Sequence, residues 1–253
     1  MENVLPQIFS NLTSYISEHQ VVSEGETRQA IGSEIEKLDA ESKAKLAEQV
    51  GGEPAKAIFQ SIVSSPISIF SPSLVRRDYL GETFYAPHVH RFFMNEMEQA
   101  FKRLIRTRAS SILPRLEGII TSFLKKSGYT SFTTVNRDEP IDAEELTAKK
   151  DNISLRLLLL PTIAFAHQCP DWPQVIVVPT ENTPVLFIRF YREKLLERTD
   201  VQVWVVDPEK DTVSPFFGNC TDREIVKNFA NPDLKERATR HFQTMKLPPL
   251  HRD

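Results

Sequence analysis

Apolar residues fall into helical spacing through the first half of the chain and into strand-like runs in the second. Val4, Leu5, Ile8, Leu12 and Ile16 recur at three- and four-residue steps, which predicts a helix. Ser23 stands three residues before Glu26, the spacing of a capping box in which the hydroxyl and the carboxylate each satisfy a free amide. From Glu24 to Val50 the chain is rich in Ala, Glu, Lys and Gln, and Ala30, Ile31, Ile35 and Leu38 mark its buried face; Gly51 and Gly52 stop the helix. A short third helix follows over Glu53–Val63. Residues 64–87, with Pro66, Pro72 and Pro87 among serines, read as an irregular connector packed through Ile67, Ile69, Phe70 and Leu74. The helical stripe returns in Phe92, Phe93, Met97, Phe101, Leu104 and Ile105. Pro114 is expected to open a further helix, carried by Leu116, Ile119, Ile120, Phe123 and Leu124 and ended by Ser127-Gly128.

After Gly128 the period changes. Tyr129–Val135 is β-branched and aromatic and predicts a strand. Asn136–Asp151 is polar and acidic and reads as a loop with room for one helical turn. Ile153–Phe165 is apolar throughout, so periodicity leaves strand and buried helix both open. Val175–Val178 reads as a short strand, Pro184–Arg198 as a helix, Val201–Val206 as a strand, and Asp211–Phe217 as its hairpin partner. Asp222–Phe229 and Pro232–Met245 read as helices. The expected architecture is α+β or α/β, with a helical region over 1–113 and a small mixed α/β domain over 114–253.

Composition narrows the class. The chain has 253 residues, enough to bury a core without disulfides or metal. Eight glycines against 17 prolines argue for rigid connections rather than flexible linkers. A net charge of −3 excludes a uniformly basic nucleic-acid binder but leaves room for a local basic patch. The N-terminus lacks a basic segment followed by an apolar run, and the longest apolar run is too short to span a bilayer, so a cytoplasmic protein with reduced thiols is expected.

Candidate chemistry is sparse. His88 and His90 could share a metal from one side of a strand, yet no third ligand stands nearby. Cys169 beside His167 pairs a thiol with a base, but a cysteine next to Pro170 and Trp172 is more often a small buried hydrophobe. Charge is segregated along the helical half. Residues 91–126 hold eight basic and three acidic side chains, whereas residues 1–60 hold five basic and ten acidic. Lys102, Arg103 and Arg106 are the candidates for phosphate contact. The ordinary reading of such a run is a solvated face, or a basic helix lying against an acidic one.

The order of elements from Leu116 to Phe217 is helix, Gly128-Tyr129, strand, two apolar segments, helix, strand. This resembles the αβββαβ core of the restriction-endonuclease-like (PD-(D/E)XK) family. The resemblance implies that Glu117, on the helix before the glycine and tyrosine, and an acid from Asp138, Glu139 and Asp142, with Asp142 chosen, hold a divalent ion such as Mg2+ that activates water at a phosphodiester. The chain departs from the family where an acid-x-Lys motif should end the following strand. Neither Leu155–Leu160 nor Val175–Val178 carries one, and Pro179-Thr180-Glu181 has no lysine in place. The function expected is a nucleic-acid-associated protein, binding DNA or RNA, with a nuclease-like domain that is metal-dependent or catalytically degenerate. The rival expectations are a protein-interaction or scaffold subunit, assembling as a homo-oligomer or on a protein partner, and an unrelated enzyme using His167, Cys169 or Asp207.

Overall fold

In the computed structural model the described residues are 4–64, 74–87, 94–137, 142–168, 173–181, 183, 185–187, 190 and 202–215. The chain is mixed α/β, helical in its N-terminal half and built on a mixed sheet beyond it. It divides into two compact units, residues 1–104 and 105–253.

The first unit begins with α1 (Val4–His19), β1 (Val22–Ser23) and α2 (Glu24–Glu36), followed by α3 (Ala40–Val50) and α4 (Pro54–Ser64). Ile8, Leu12, Ile16, Ile31, Leu46, Ile58 and Ile62 form its core. The capping box forms as expected: the Glu26 amide donates to Ser23 Oγ at 3.1 Å, and the Ser23 amide donates to Glu26 Oε2 at 2.7 Å. The single helix expected over 24–50 is two. Asp39 accepts from the Ser42 amide at 2.7 Å and caps a new helix, so the chain breaks at 37–39.

A second departure lies in the expected connector. β2 (Leu74–Tyr79) and β3 (Glu82–Pro87) pair as an antiparallel hairpin and, with β1, make a sheet of order β1-β3-β2. Leu80 and Gly81 turn the hairpin with φ of 51° and 83°, the left-handed pair a two-residue turn requires. Arg76, Arg77 and Asp78 leave β2 exposed and erase the alternation that would have revealed it.

α5 runs unbroken from Met94 to Lys126 with Pro114 inside it, so no new helix starts there. The exposed ring of Pro114 costs a backbone hydrogen bond. Ala109, Leu113, Leu116, Ile120 and Leu124 nevertheless keep one buried stripe through it. The division between the units falls within α5, after Leu104.

The second unit carries a six-stranded sheet, order β4-β5-β6-β7-β8-β9. β4 (Ser131–Arg137), β5 (Ala143–Lys150) and β6 (Ile153–Leu159) form an antiparallel meander. A 3-10 turn (Ile163–Gln168) leads to β7 (Val175–Pro179), parallel to β6; β8 (Gln202–Asp207) is parallel to β7, and β9 (Thr212–Pro215) turns back on β8. Residues 142–150, expected to be loop, are therefore mostly strand. Leu146 and Ala148 face the core of α5, Leu155, Leu157, Val175, Val177 and Trp204, and the charged residues Glu144, Glu145, Lys149 and Lys150 flank them toward the ends of the strand. His88, His90, Cys169, Cys220, Asp138, Glu139 and the helices expected over 222–245 lie outside the described residues, as does most of the helix expected over 184–198. Among the described residues no helix is long and apolar enough to cross a membrane.

Candidate functional site

Period-two alternation in β5 sends Glu144, Leu146 and Ala148 to the face covered by α5, and Glu145 and Thr147 to the other. Glu144 stands opposite Asn136 of β4 on one side and Leu159 of β6 on the other. It thus sits beside the carboxyl end of β6, the first of three parallel strands, the end at which open α/β sheets usually hold ligands.

Here an open cleft of about 390 Å³ lies between α5 and the paired ends of β4 and β5. Arg106 and Ser110 line it from the helix, Asn136 from β4, and Asp142 and Glu144 from the start of β5. Glu144 is 9% exposed, and its Oε2 is buried with no hydrogen-bond partner. Burial raises its pKa above the ordinary glutamate value, and the negative charge of Glu117 on α5 raises it further. Glu117 is held in place by Thr134 of β4, whose hydroxyl donates to Glu117 Oε1. Helix and sheet together therefore bring two carboxylates into electrostatic contact at the edge of an open cleft.

Of the acids expected from sequence, Glu117 belongs to this pair and Asp142 lies on the cleft lining. Glu144, Thr134 and Asn136 were missed. The doublet Glu144-Glu145 beside Asp142 was the available signal, hidden because the segment read as loop. Glu145 points to the opposite face, where Arg137 donates to it and Arg156 Nε donates to its Oε1 at 2.9 Å. Glu181 is also occupied, accepting from Thr162 Oγ1 at 2.7 Å and from the Ile163 amide at 2.9 Å to cap the 3-10 turn.

The basic candidates separate. Arg106 is exposed on the cleft of the second unit. Lys102 and Arg103 belong to the first unit. Arg103 has structural work there: its Nη2 donates to the Val21 carbonyl at 2.6 Å and its Nε to Glu26 Oε1 at 3.1 Å, which ties α5 to the capped start of α2. Neither residue left for the unrelated-enzyme expectation joins the carboxylates. His167 is exposed on the 3-10 turn. Asp207 binds Lys210 Nζ at 2.8 Å and the amides of Glu209 and Lys210, which closes the β8–β9 turn and lowers its pKa, chiefly through Lys210.

Among the described residues no three His, Cys, Asp or Glu side chains cluster to hold a metal. The donor set does suit a hard cation held more sparingly. Mg2+ is commonly bound through one or two carboxylates plus water and substrate phosphate oxygens. Glu117 and Glu144 supply two carboxylates, and Glu144 Oε2 is a buried acceptor in want of a positive partner. The residues that β6 presents to this face are apolar, Leu155, Leu157 and Leu159 among them, so neither an acid nor a lysine comes from that strand.

The fold is thus a helical unit with a small sheet, followed by a mixed-sheet α/β unit bearing an open cleft lined by Asp142 and Glu144 and by Arg106 and Arg137. Residues 165–231 match the C-terminal domain of a family described as a domain of unknown function, DUF6834. That stretch includes β7, β8 and β9 and lies beyond the cleft residues. No curated protein matches the chain.

Proposed function

We propose that the protein is a cytoplasmic, nucleic-acid-associated protein whose α/β unit is a nuclease-like module that binds the phosphate backbone without cutting it. The observation that carries this reading is the Glu117–Glu144 pair at the carboxyl end of β6, with Glu144 on the lining of an open cleft that also presents the exposed Arg106. The strand order is compatible with it, since a helix precedes an antiparallel three-stranded meander and a parallel strand follows.

The roles follow from chemistry. Glu117 and Glu144 would hold a divalent cation, and Thr134 would fix the Glu117 carboxylate for it. The cation would neutralise phosphate charge when bound. Arg106 would meet a neighbouring phosphate, and Asn136 would offer an amide to a phosphate or sugar oxygen. Hydrolysis also needs a group to take the proton of the attacking water. The leucines of β6 stand where the resemblance calls for an acid and a lysine, which supports binding over cleavage.

The test is incubation of the full chain with plasmid, linear and single-stranded DNA and with RNA, in Mg2+ or Mn2+. Glu117→Gln, Glu144→Gln and Arg106→Gln run alongside. Binding that weakens with salt, with no cleavage, supports the proposal. Metal-dependent cleavage lost in Glu144→Gln would show an active nuclease and overturn the degenerate assignment. Neither binding nor cleavage would overturn the nucleic-acid reading.

A further inference from the structure

Sheet edges expose unpaired amides and carbonyls, and proteins usually blunt them with charge, proline or short length. Among the described residues three of the four outer strands follow that rule. β1 has two residues, β2 carries Arg76, Arg77 and Asp78, and β9 has four residues ending in Pro215. β4 does not. It runs seven residues, Ser131-Phe-Thr-Thr-Val-Asn-Arg137, with no charge before Arg137 and neither proline nor glycine. Among the described residues β5 is its only strand partner. Val135 is 57% exposed, and Ser131 and Thr133 are exposed beside it.

The geometry points to a second copy of this chain as the occupant of this edge, joining the two six-stranded sheets into one through antiparallel β4–β4 pairing. The strand is complementary to itself. Centred on Thr134, all seven residues pair, with Thr133 opposite Val135, Phe132 opposite Asn136 and Ser131 opposite Arg137. β-branched residues then face each other three times, Thr134 against its own copy and Thr133 against Val135 on either side, and no like charges meet. The contact is isologous and closes as a two-fold dimer, so it does not propagate into a filament. Thr134, which holds Glu117, lies at the dyad, and each copy keeps its own cleft. This inference stands independently of nucleic-acid binding.

The test is sedimentation velocity on the full chain over a micromolar concentration series. The wild type is expected to be dimeric. Thr133→Lys with Val135→Lys sets lysines against lysines on both sides of the dyad and is expected to give monomer, with the dissociation constant raised by about tenfold or more. Both sites are exposed, so circular dichroism is expected to show an unchanged fold. Thr133→Glu with Val135→Glu is expected to be monomeric alone and to form a dimer when mixed with the lysine variant. In parallel, amide exchange across residues 131–137 of the wild type is expected to slow as concentration rises. A wild type that stays monomeric, an oligomer indifferent to the lysine pair, or exchange independent of concentration would each overturn the inference.

Discussion

Glu144→Gln isolates the physical tension in the cleft. In the wild type a carboxyl group 9% exposed leaves Oε2 buried without a partner, beside the carboxylate of Glu117. A buried polar group lacking its hydrogen bond costs about 1–3 kcal/mol. Glutamine keeps the shape, removes the ionisation and presents an amide donor toward Glu117, so a gain of about 1–2 kcal/mol is expected at neutral pH without divalent cation. The pH dependence carries the sign. Glu144 has a raised pKa in the folded protein, so between the ordinary value of 4.5 and that raised value the native state binds more protons than the unfolded state. Wild-type stability falls as pH rises through that window, and the deficit is fully present above it. The advantage of Glu144→Gln should therefore be absent at acid pH, grow through the window and level off. Thermal melts in chelator from pH 4 to 8 provide the assay, with roughly 2–4 °C expected per kcal/mol for a chain of this size. Glu117→Gln should shift the wild-type window downward only in part, because burial is the larger cause. A Glu144→Gln protein less stable than wild type at neutral pH, or a difference that does not vary with pH, would refute the reasoning.

Arg103→Ala should destabilise the first unit by about 1.5–3 kcal/mol in urea unfolding, since it removes charge-assisted bonds to Glu26 and the Val21 carbonyl. It should leave the salt slope of any nucleic-acid binding unchanged. Gly128→Ala should cost about 1 kcal/mol or more in the same measurement. Its φ is +91°, and a β-carbon would approach Lys150 Nζ to 3.1 Å while that ammonium donates to the Ser127 carbonyl at the end of α5. Trp204→Ala should cost about 3–5 kcal/mol, because the indole is fully buried against Phe123 and its Nε1 donates to Gln202.

What could be read from the sequence was what a dominant period or a local cap displayed. The stripe of α1, the Ser23–Glu26 box, the strands β7 and β8, and the β8–β9 hairpin all announce themselves within a few residues, whereas the uniformly apolar β6 left strand and buried helix both open. β2 and β5 were hidden for one shared reason. Charged side chains stand at consecutive positions in both, Arg76-Arg77-Asp78 and Glu144-Glu145, so the alternation is blurred where it would have to be read. Glu145 looks like a loop residue until Arg137 and Arg156 are placed on either side of it. Pro114 misled because a proline that starts a helix and one tolerated on an exposed face look alike without the buried stripe around it. The cleft was half legible. Glu117 could be proposed from the order of elements, but its partner depended on β5 register, which selects Glu144 for the helix-facing side.

The most direct measurement of the central claim is nucleic-acid binding by the wild type and Glu144→Gln, each titrated in Mg2+ and in chelator at fixed ionic strength. The expected result is that Mg2+ strengthens wild-type binding, while Glu144→Gln binds equally in both conditions. No binding by the wild type, or a Mg2+ effect that survives in Glu144→Gln, would contradict the assignment of this cleft.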